Sequence, residues 1–181
     1  MKMKGYFLTF TVVAFVLGMM NTGRSAEVLF KDYDAVIVEN LKVPTGSPAP
    51  ESSGLQMAEK AVYQLSRYSE KYKLFDMVVK EGSKSSEVSA GKKVLLIKGE
   101  VKEYTTESVG RRIGRSFIPG GAFTGTAAFA ARYQFIDKAS GKVIHETDLR
   151  TGATGRNDTV DYAMDRNGEA LAKLITKYKG K

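Results

Sequence analysis

The fold is decided by the stretch Thr126-Ala-Ala-Phe-Ala-Ala-Arg-Tyr-Gln-Phe-Ile-Asp-Lys-Ala-Ser-Gly-Lys-Val-Ile-His-Glu-Thr-Asp-Leu149. Up to Asp137 the larger apolar residues recur at every second position, which is the period of a strand with one face in a core. Residues 138–142 then supply a turn, because Gly141 can adopt a positive φ. Residues 143–149 return as the partner strand. The stretch therefore predicts an antiparallel β-hairpin.

Three earlier apolar runs predict further strands, at residues 34–40, 74–79 and 94–104. The first is short and rich in β-branched residues. The last alternates in its second half, so we expect that end to have one face in water. Residues 44–50 contain three prolines, and residues 80–93 are rich in Ser, Gly, Lys and Glu. Both segments are therefore predicted to be loops.

Two helical patterns flank these strands. Ser53 and Gln56 have the spacing of a capping box, and Asp158 or Thr159 is suited to cap the later helix. Gly168 lies inside the later helix, which predicts close packing on the sheet or a kink. The two apolar stripes consist of Leu55, Ala58, Val62, Leu65 and Tyr68, and of Val160, Met164, Leu171, Leu174, Ile175 and Tyr178.

The resulting element order is β-α-β-β-β-β-α. Consecutive antiparallel strands flanked by two helices predict an α+β fold, a two-layer sandwich with a mainly antiparallel sheet and both helices on one face. Residues 26–181 amount to about 155 residues, which is the usual size of one domain with its own core. We therefore expect a single α/β domain.

The chain starts with a segment typical of an export signal. Two lysines stand within the first four residues, and residues 6–20 carry no charge and are mostly apolar. This run is shorter than the ~20 apolar residues that a spanning helix needs. Gly23 and Ser25 place small side chains just before a cut at Ala26. Residues 1–25 are therefore predicted to be a signal peptide, and the mature chain is expected to be periplasmic or outer-membrane-associated.

The composition excludes several classes of site. The chain has no cysteine, which removes a lipid anchor, disulfides, thiolate metal ligands and a cysteine nucleophile. The formal charge of +8 falls to about +5 when the signal is removed. This mild excess does not indicate nucleic-acid binding, and in the envelope its natural anionic partners are lipid head groups, lipopolysaccharide and acidic protein surfaces. No cofactor is expected.

An unusually long connection joins two of the predicted strands. This Gly/Arg-rich arm, at about residues 107–125, is far longer than a hairpin needs, and such connections are commonly functional or disordered. Its glycines allow close backbone approach, and its arginines flank an apolar tip, which suits another chain or an anionic lipid surface. The alternative is a flexible extension with solvated arginines, and the glycine spacing matches no nucleotide-binding motif. The predicted interaction residues are Arg111, Arg112, Arg115, Phe117, Ile118 and Phe123.

Candidates for catalysis are few. His145, the single histidine, is adjacent to Glu146 on a strand, so the two side chains point to opposite faces. Asp158, Asp161 and Asp165 lie near the start of the last helix, where acids complement the positive helix end. Glu146, Asp158 and Asp161 are the faint candidates for a hydrolase, and no catalytic or metal-binding residue is assigned.

Several motifs carry a family resemblance. They are the Gly99-Glu-Val-Lys-Glu-Tyr104 unit, the Gly/Arg-rich arm, the Tyr133-Gln-Phe-Ile-Asp-Lys-Ala-Ser-Gly-Lys-Val143 hairpin, the closing amphipathic helix and the earlier Lys73-Leu-Phe-Asp-Met-Val-Val79. In these motifs the chain resembles the bacterial domain of unknown function 4410 family. The resemblance implies an α+β fold distantly like the periplasmic domain of the curli secretion lipoprotein, and an envelope location. It brings no catalytic residues, and this chain lacks the lipidation cysteine of many members.

The sequence thus favours a non-enzymatic interaction module of the bacterial cell envelope. It would bind another envelope protein, a second copy of itself or an anionic membrane surface through the Gly/Arg-rich arm. The alternative is a small-ligand or lipid-binding domain, which predicts an apolar cavity between the sheet and the helices. A hydrolase is a remote alternative, which predicts carboxylates that converge in a cleft.

Overall fold

A computed structural model describes residues 28–83, 91–107, 124–154 and 157–181. The predicted signal peptide lies outside the described residues. The elements in the described part are β1 (Ala35–Val38), α1 (Ser52–Tyr72), β2 (Met77–Lys80), β3 (Val94–Thr105), β4 (Thr124–Asp137), β5 (Val143–Thr154) and α2 (Val160–Tyr178). This order confirms the predicted α+β fold. Neither of the helices in these ranges is long and apolar enough to cross a membrane.

The described strands form one sheet in the order β2-β1-β3-β4-β5. β1 runs parallel to both of its neighbours, with Ala35 opposite Met77 on one side and opposite Val94 on the other. The longer strands β3, β4 and β5 are antiparallel to one another. The sheet is therefore mixed, with short parallel ladders on both sides of β1 and long antiparallel ladders among β3, β4 and β5.

The hairpin of β4 and β5 forms as the sequence predicts. Asp137 accepts hydrogen bonds from the backbone N–H and the hydroxyl of Ser140, both at 2.8 Å. These bonds hold the pKa of the Asp137 carboxyl below its usual range. Gly141 has a φ of +70° and donates its N–H to the Asp137 carbonyl at 2.8 Å. Glycine adopts this conformation without the steric clash that a Cβ would cause. The hydrogen bonds of Asp137 with Ser140 and Gly141 therefore fix the turn, and the turn fixes the register of the two strands.

Both helices pack on one face of the sheet, and the main apolar core of the described residues fills the space between the helices and the sheet. The predicted inward faces of the strands are confirmed, because Leu95, Ile97 and Val101 of β3 and Phe129 and Phe135 of β4 are all buried. The other large side chains without exposed surface include Phe30, Met57, Leu65, Tyr133, Leu171 and Ile175. The core therefore draws on both layers of the sandwich.

Helix α1 does not begin with the predicted capping box. The helix starts at Ser52, and its N-cap residue Glu51 forms no side-chain hydrogen bond to the first turn. Ser53 lies inside that turn, and its buried hydroxyl has no hydrogen-bond partner in the described part of the chain. The turn is fixed instead by backbone contact, since the Leu41 N–H donates to the Gly54 carbonyl at 3.1 Å.

We expect Gly54→Ala to destabilise the domain, although Ala usually stabilises a helix by ~1 kcal/mol relative to Gly. A Cβ at this position would lie 1.9 Å from the Leu41 carbonyl oxygen, so the loop before α1 would have to move. The expected loss in the free energy of unfolding is about 1–3 kcal/mol, measured by urea denaturation. Gly152→Ala is the control, because its Cβ would meet only the Ala127 carbonyl oxygen at 3.8 Å. A Gly54→Ala protein as stable as the wild type would contradict this packing.

Gly168 marks the place where the two helices touch. A Cβ there would lie 3.1 Å from the Lys60 carbonyl oxygen and 3.4 Å from the Gln64 Cγ. Close packing at Gly168 is therefore confirmed, but the predicted neighbour is wrong. The glycine packs against α1 and not against the sheet.

Candidate interaction surfaces

Strands β3 and β4 are neighbours, yet the chain takes a long path between them. β3 ends at Thr105 and β4 begins at Thr124, which leaves 18 residues between two antiparallel partners. A hairpin usually needs about two to five. The predicted interaction residues all belong to this connection and lie outside the described residues: Arg111, Arg112, Arg115, Phe117, Ile118 and Phe123. The described part defines the base from which the Gly/Arg-rich arm leaves the sheet.

Asp158 holds the base of the arm on the β4 side. Its buried carboxylate accepts hydrogen bonds from the backbone N–H groups of Thr126 and Ala127, at 2.5 and 2.7 Å. It also accepts from the Thr126 hydroxyl at 2.9 Å. Hydrogen bonds to an ionised acceptor are about twice as strong as neutral ones. The carboxylate thus ties the start of α2 to the first residues of β4 that follow the arm.

The N-cap of α2 is Thr159, the residue directly after Asp158. The Thr159 hydroxyl accepts a hydrogen bond from the Tyr162 N–H at 3.1 Å. The sequence allowed either residue as the cap. The prediction of Thr159 is confirmed, and the alternative prediction of Asp158 is wrong. Because Thr159 satisfies the helix end, the Asp158 carboxylate can bind β4 across the fold.

A second polar link joins β4, β5 and α2 inside the core. The fully buried Tyr133 donates its hydroxyl to the Asn167 Oδ1 at 2.7 Å. The Asn167 Nδ2 donates in turn to the Leu149 carbonyl at 3.0 Å, and the Thr151 hydroxyl donates to the Ala163 carbonyl at 2.7 Å. Burial raises the pKa of the Tyr133 phenol, so this group remains a proton donor. Together with Asp158, these bonds hold α2 against β4 and β5.

The outer face of β3, β4 and β5, opposite the helices, carries paired charges. Arg132 binds Asp148 through two nitrogens at 2.9 and 3.1 Å, and Arg150 binds Glu103 at 2.7 and 3.0 Å. The Arg132 guanidinium lowers the pKa of Asp148, and Arg150 does the same for Glu103, so both acids stay ionised. Exposed pairs of this kind contribute only about 0–1 kcal/mol each to stability. Because opposite charges alternate, this face offers no patch of a single sign.

The acids that the sequence offered for hydrolysis have separate partners. Glu146 lies on the outer face and accepts a hydrogen bond from the Gln134 amide at 2.7 Å. Asp158 is bound to β4, and Asp161 forms an ion pair with Lys60 at 3.0 Å. In the described ranges, no three acidic or histidine side chains are grouped so as to hold a metal ion.

His145 packs among aromatic rings at the edge of the sheet. Its ring centroid lies 4.9 Å from that of Tyr178 and 5.8 Å from that of Phe135. It belongs to β5, an edge strand of the described sheet. The ring therefore helps to seal the end of α2 against the hairpin.

The space between the sheet and the helices is packed in the described part of the molecule. The ring centroid of Phe30 lies 4.9 Å from that of Phe135 and 5.6 Å from that of Tyr178. Tyr133 and Leu171 fill the centre of the same layer and have no exposed surface. The side chains that would have lined a ligand cavity thus contact one another.

No protein-family model matches the sequence, and no curated protein matches it either. Solved structures do match the fold. The PelC dodecamer from Paraburkholderia phytofirmans superposes with a TM-score of 0.53 at 14% identity, over 77% of this chain and 86% of that chain. The chain has a PelC-like fold.

Two further structures extend this comparison. A variant of the same PelC in another space group gives a TM-score of 0.53 at 15% identity, over 79% of this chain and 90% of that chain. Protein XCC0632 from Xanthomonas campestris, of the DUF330 family, gives 0.47 at 7% identity, over 79% and 81%. At such low identity the likeness to PelC concerns the fold alone. The resemblance to the domain of unknown function 4410 family is not confirmed.

Proposed function

We propose that this protein is a non-enzymatic module of the bacterial cell envelope that assembles with further copies of itself through the Gly/Arg-rich arm. The observation that carries the proposal is the long connection between two neighbouring strands, set on a base that Asp158 fixes. A rigid sheet end that presents a long loop is a common arrangement for binding. The dodecameric state of PelC supports self-association as the mode of binding.

The six predicted interaction residues of the arm make two kinds of contact. Phe117, Ile118 and Phe123 bury apolar area against the neighbouring copy, because aromatic side chains contribute most to interface energy. Arg111, Arg112 and Arg115 bind acidic groups around that apolar centre. Glu107, an exposed acid just after β3, lies at the end of the sheet from which the arm leaves and receives these arginines.

The compartment follows from the first residues and from the composition. The signal peptide directs the chain out of the cytoplasm, where it works in the periplasm or against the outer membrane. Without a cysteine the mature protein carries no lipid on a cysteine, so its own surface has to hold it in place.

Deleting residues 113–123 tests this proposal in the cell. We expect the shortened protein to be exported and folded but to lose cross-links between copies in envelope fractions. The control is a variant in which the segment at residues 84–90 is shortened. This segment is remote from the arm in the sequence. Cross-linking that persists unchanged after the arm deletion would refute the proposal.

A further inference from the structure

The end of the domain opposite the arm is rich in lysine. β1, β2 and β3 begin at this end, the β4–β5 turn lies there, and α1 and α2 both end there. We call it the basic end. Its lysines are Lys31, Lys71, Lys73, Lys92, Lys93, Lys138, Lys142, Lys177, Lys179 and Lys181.

Contacts among these segments show that they form one surface. The Lys179 ammonium donates to the Tyr33 carbonyl at 2.6 Å and lies 4.6 Å from the centroid of the Phe75 ring. Lys92 forms an ion pair with Asp76 at 3.0 Å, which joins the segment before β3 to the segment before β2. Residues that are far apart in sequence thus meet at one end of the fold.

The charge at this end is strongly unbalanced. The ten lysines face five acids in the same segments: Asp32, Asp34, Glu70, Asp76 and Asp137. The outer sheet face, by contrast, pairs its charges. The excess positive charge of the described residues is therefore concentrated at the basic end.

Stabilisation of the helix ends does not account for this concentration. Lys71 and Lys177 lie in the last turns of the helices, where a positive charge complements the helix dipole. Lys93 and Lys142, however, stand beside a strand start and a turn, where no such dipole exists. Their presence on the same surface points to a partner that carries negative charge.

A groove at the basic end combines lysines with tyrosines. It runs between the last turns of α1 and α2, where the rings of Tyr68 and Tyr72 lie 5.7 Å apart between centroids. Lys177 and Lys181 line the same groove, and Lys173 beside them is paired with Glu169 at 2.8 Å. Tyrosine has an apolar ring and a polar tip, which suits the head-group level of a membrane.

The chain also enters the domain at this end. The Phe30 N–H donates to the Tyr178 carbonyl at 3.0 Å, so the residues before Phe30 approach past the end of α2. The apolar segment at residues 6–20 precedes Val28 by only eight residues. Eight residues span at most about 26–29 Å when fully extended. The apolar segment that the sequence predicts to enter the membrane is therefore joined to the domain at the basic end.

We propose that the basic end docks on an anionic phospholipid surface. Lysine ammonium groups bind lipid phosphates, and Tyr68 and Tyr72 lie among the head groups. Each lysine near such a surface adds to the attraction over a distance of about one Debye length. This surface is separate from the arm, so the proposal does not depend on self-association.

Vesicle sedimentation tests the docking with the protein purified after export. Vesicles of phosphatidylcholine alone are compared with vesicles that contain 30% phosphatidylglycerol. The basic-end variant is Lys142→Gln, Lys177→Gln and Lys181→Gln, and the control variant is Lys42→Gln, Lys98→Gln and Lys102→Gln. The two variants lose the same net charge, so a general charge effect is the same for both.

We expect binding to the phosphatidylglycerol vesicles only, and a drop in affinity on the order of a hundredfold for the basic-end variant. The control variant should lose less than about fivefold, and a variant without the arm should bind as the wild type does. Equal binding to both vesicle types, or equal losses in the two lysine variants, would overturn the proposal. Loss of vesicle binding on removal of the arm would overturn it too.

Discussion

Asp158→Ala is expected to lower the free energy of unfolding by about 3 kcal/mol. The substitution removes the buried carboxyl group that accepts hydrogen bonds from the N–H groups of Thr126 and Ala127. Burying those donors without the carboxylate carries the full cost of their desolvation. For a domain of this size the loss corresponds to a fall of about 6–12 °C in the thermal midpoint, which circular dichroism measures.

Asp161→Ala is the matched control for this experiment. Asp161 is three residues further along the chain and is also acidic, but its side chain is 74% exposed and pairs with Lys60. We expect its removal to change the free energy of unfolding by less than about 1 kcal/mol. Equal losses in the two variants would show that the carboxylate of Asp158 does not anchor β4.

The second large effect is expected from the arm. Changing Arg111, Arg112, Arg115, Phe117, Ile118 and Phe123 to Ser keeps the length of the arm but removes all six predicted interaction residues. Central aromatic and arginine residues of an interface cost about 2 kcal/mol or more each when truncated. The loss of six is therefore expected to raise the dissociation constant by more than a thousandfold, which leaves single chains at micromolar concentration.

The thermal midpoint separates this effect from misfolding. The base of the arm is held by Asp158, which these substitutions leave unchanged. The six-residue variant should therefore unfold within a few degrees of dissociated wild-type protein. A control with Lys42, Lys98 and Lys102 changed to Ser should assemble as the wild type does. Assembly of the six-residue variant at wild-type strength would remove the arm from the interface.

The parts of the fold that local patterns specify could be predicted from the sequence. The alternation of Phe129, Tyr133 and Phe135 with polar residues defines the inward face of β4, and Gly141 defines the turn that follows. Thr159 was a recognisable helix cap for the same reason, because its partner Tyr162 is three residues away. In each case the deciding neighbours are close in sequence.

Contacts between distant residues could not be predicted in this way. Asp158 binds residues 31 and 32 positions earlier in the chain, and nothing in its local sequence distinguishes it from an ordinary cap. Ser53 has capping-box spacing, but the Leu41 backbone packs on that turn instead. The parallel pairing of β1 with both neighbours likewise depends on the topology of the whole sheet.

The two interaction surfaces differ in the same respect. The arm could be predicted from the sequence because its glycines and arginines lie close together in one segment. The basic end is not, since its lysines run from Lys31 to Lys181 and meet only when the strand starts and the helix ends come together. A net charge of +8 shows an excess but not where the fold places it.

The central claim is that this exported domain assembles with copies of itself through the Gly/Arg-rich arm. Sedimentation velocity of the exported wild-type protein, from about 1 to 100 μM, tests it most directly. We predict a mass that is a multiple of the single-chain mass, and one chain for the six-residue variant. A wild-type protein that sediments as one chain over the whole range would contradict the claim.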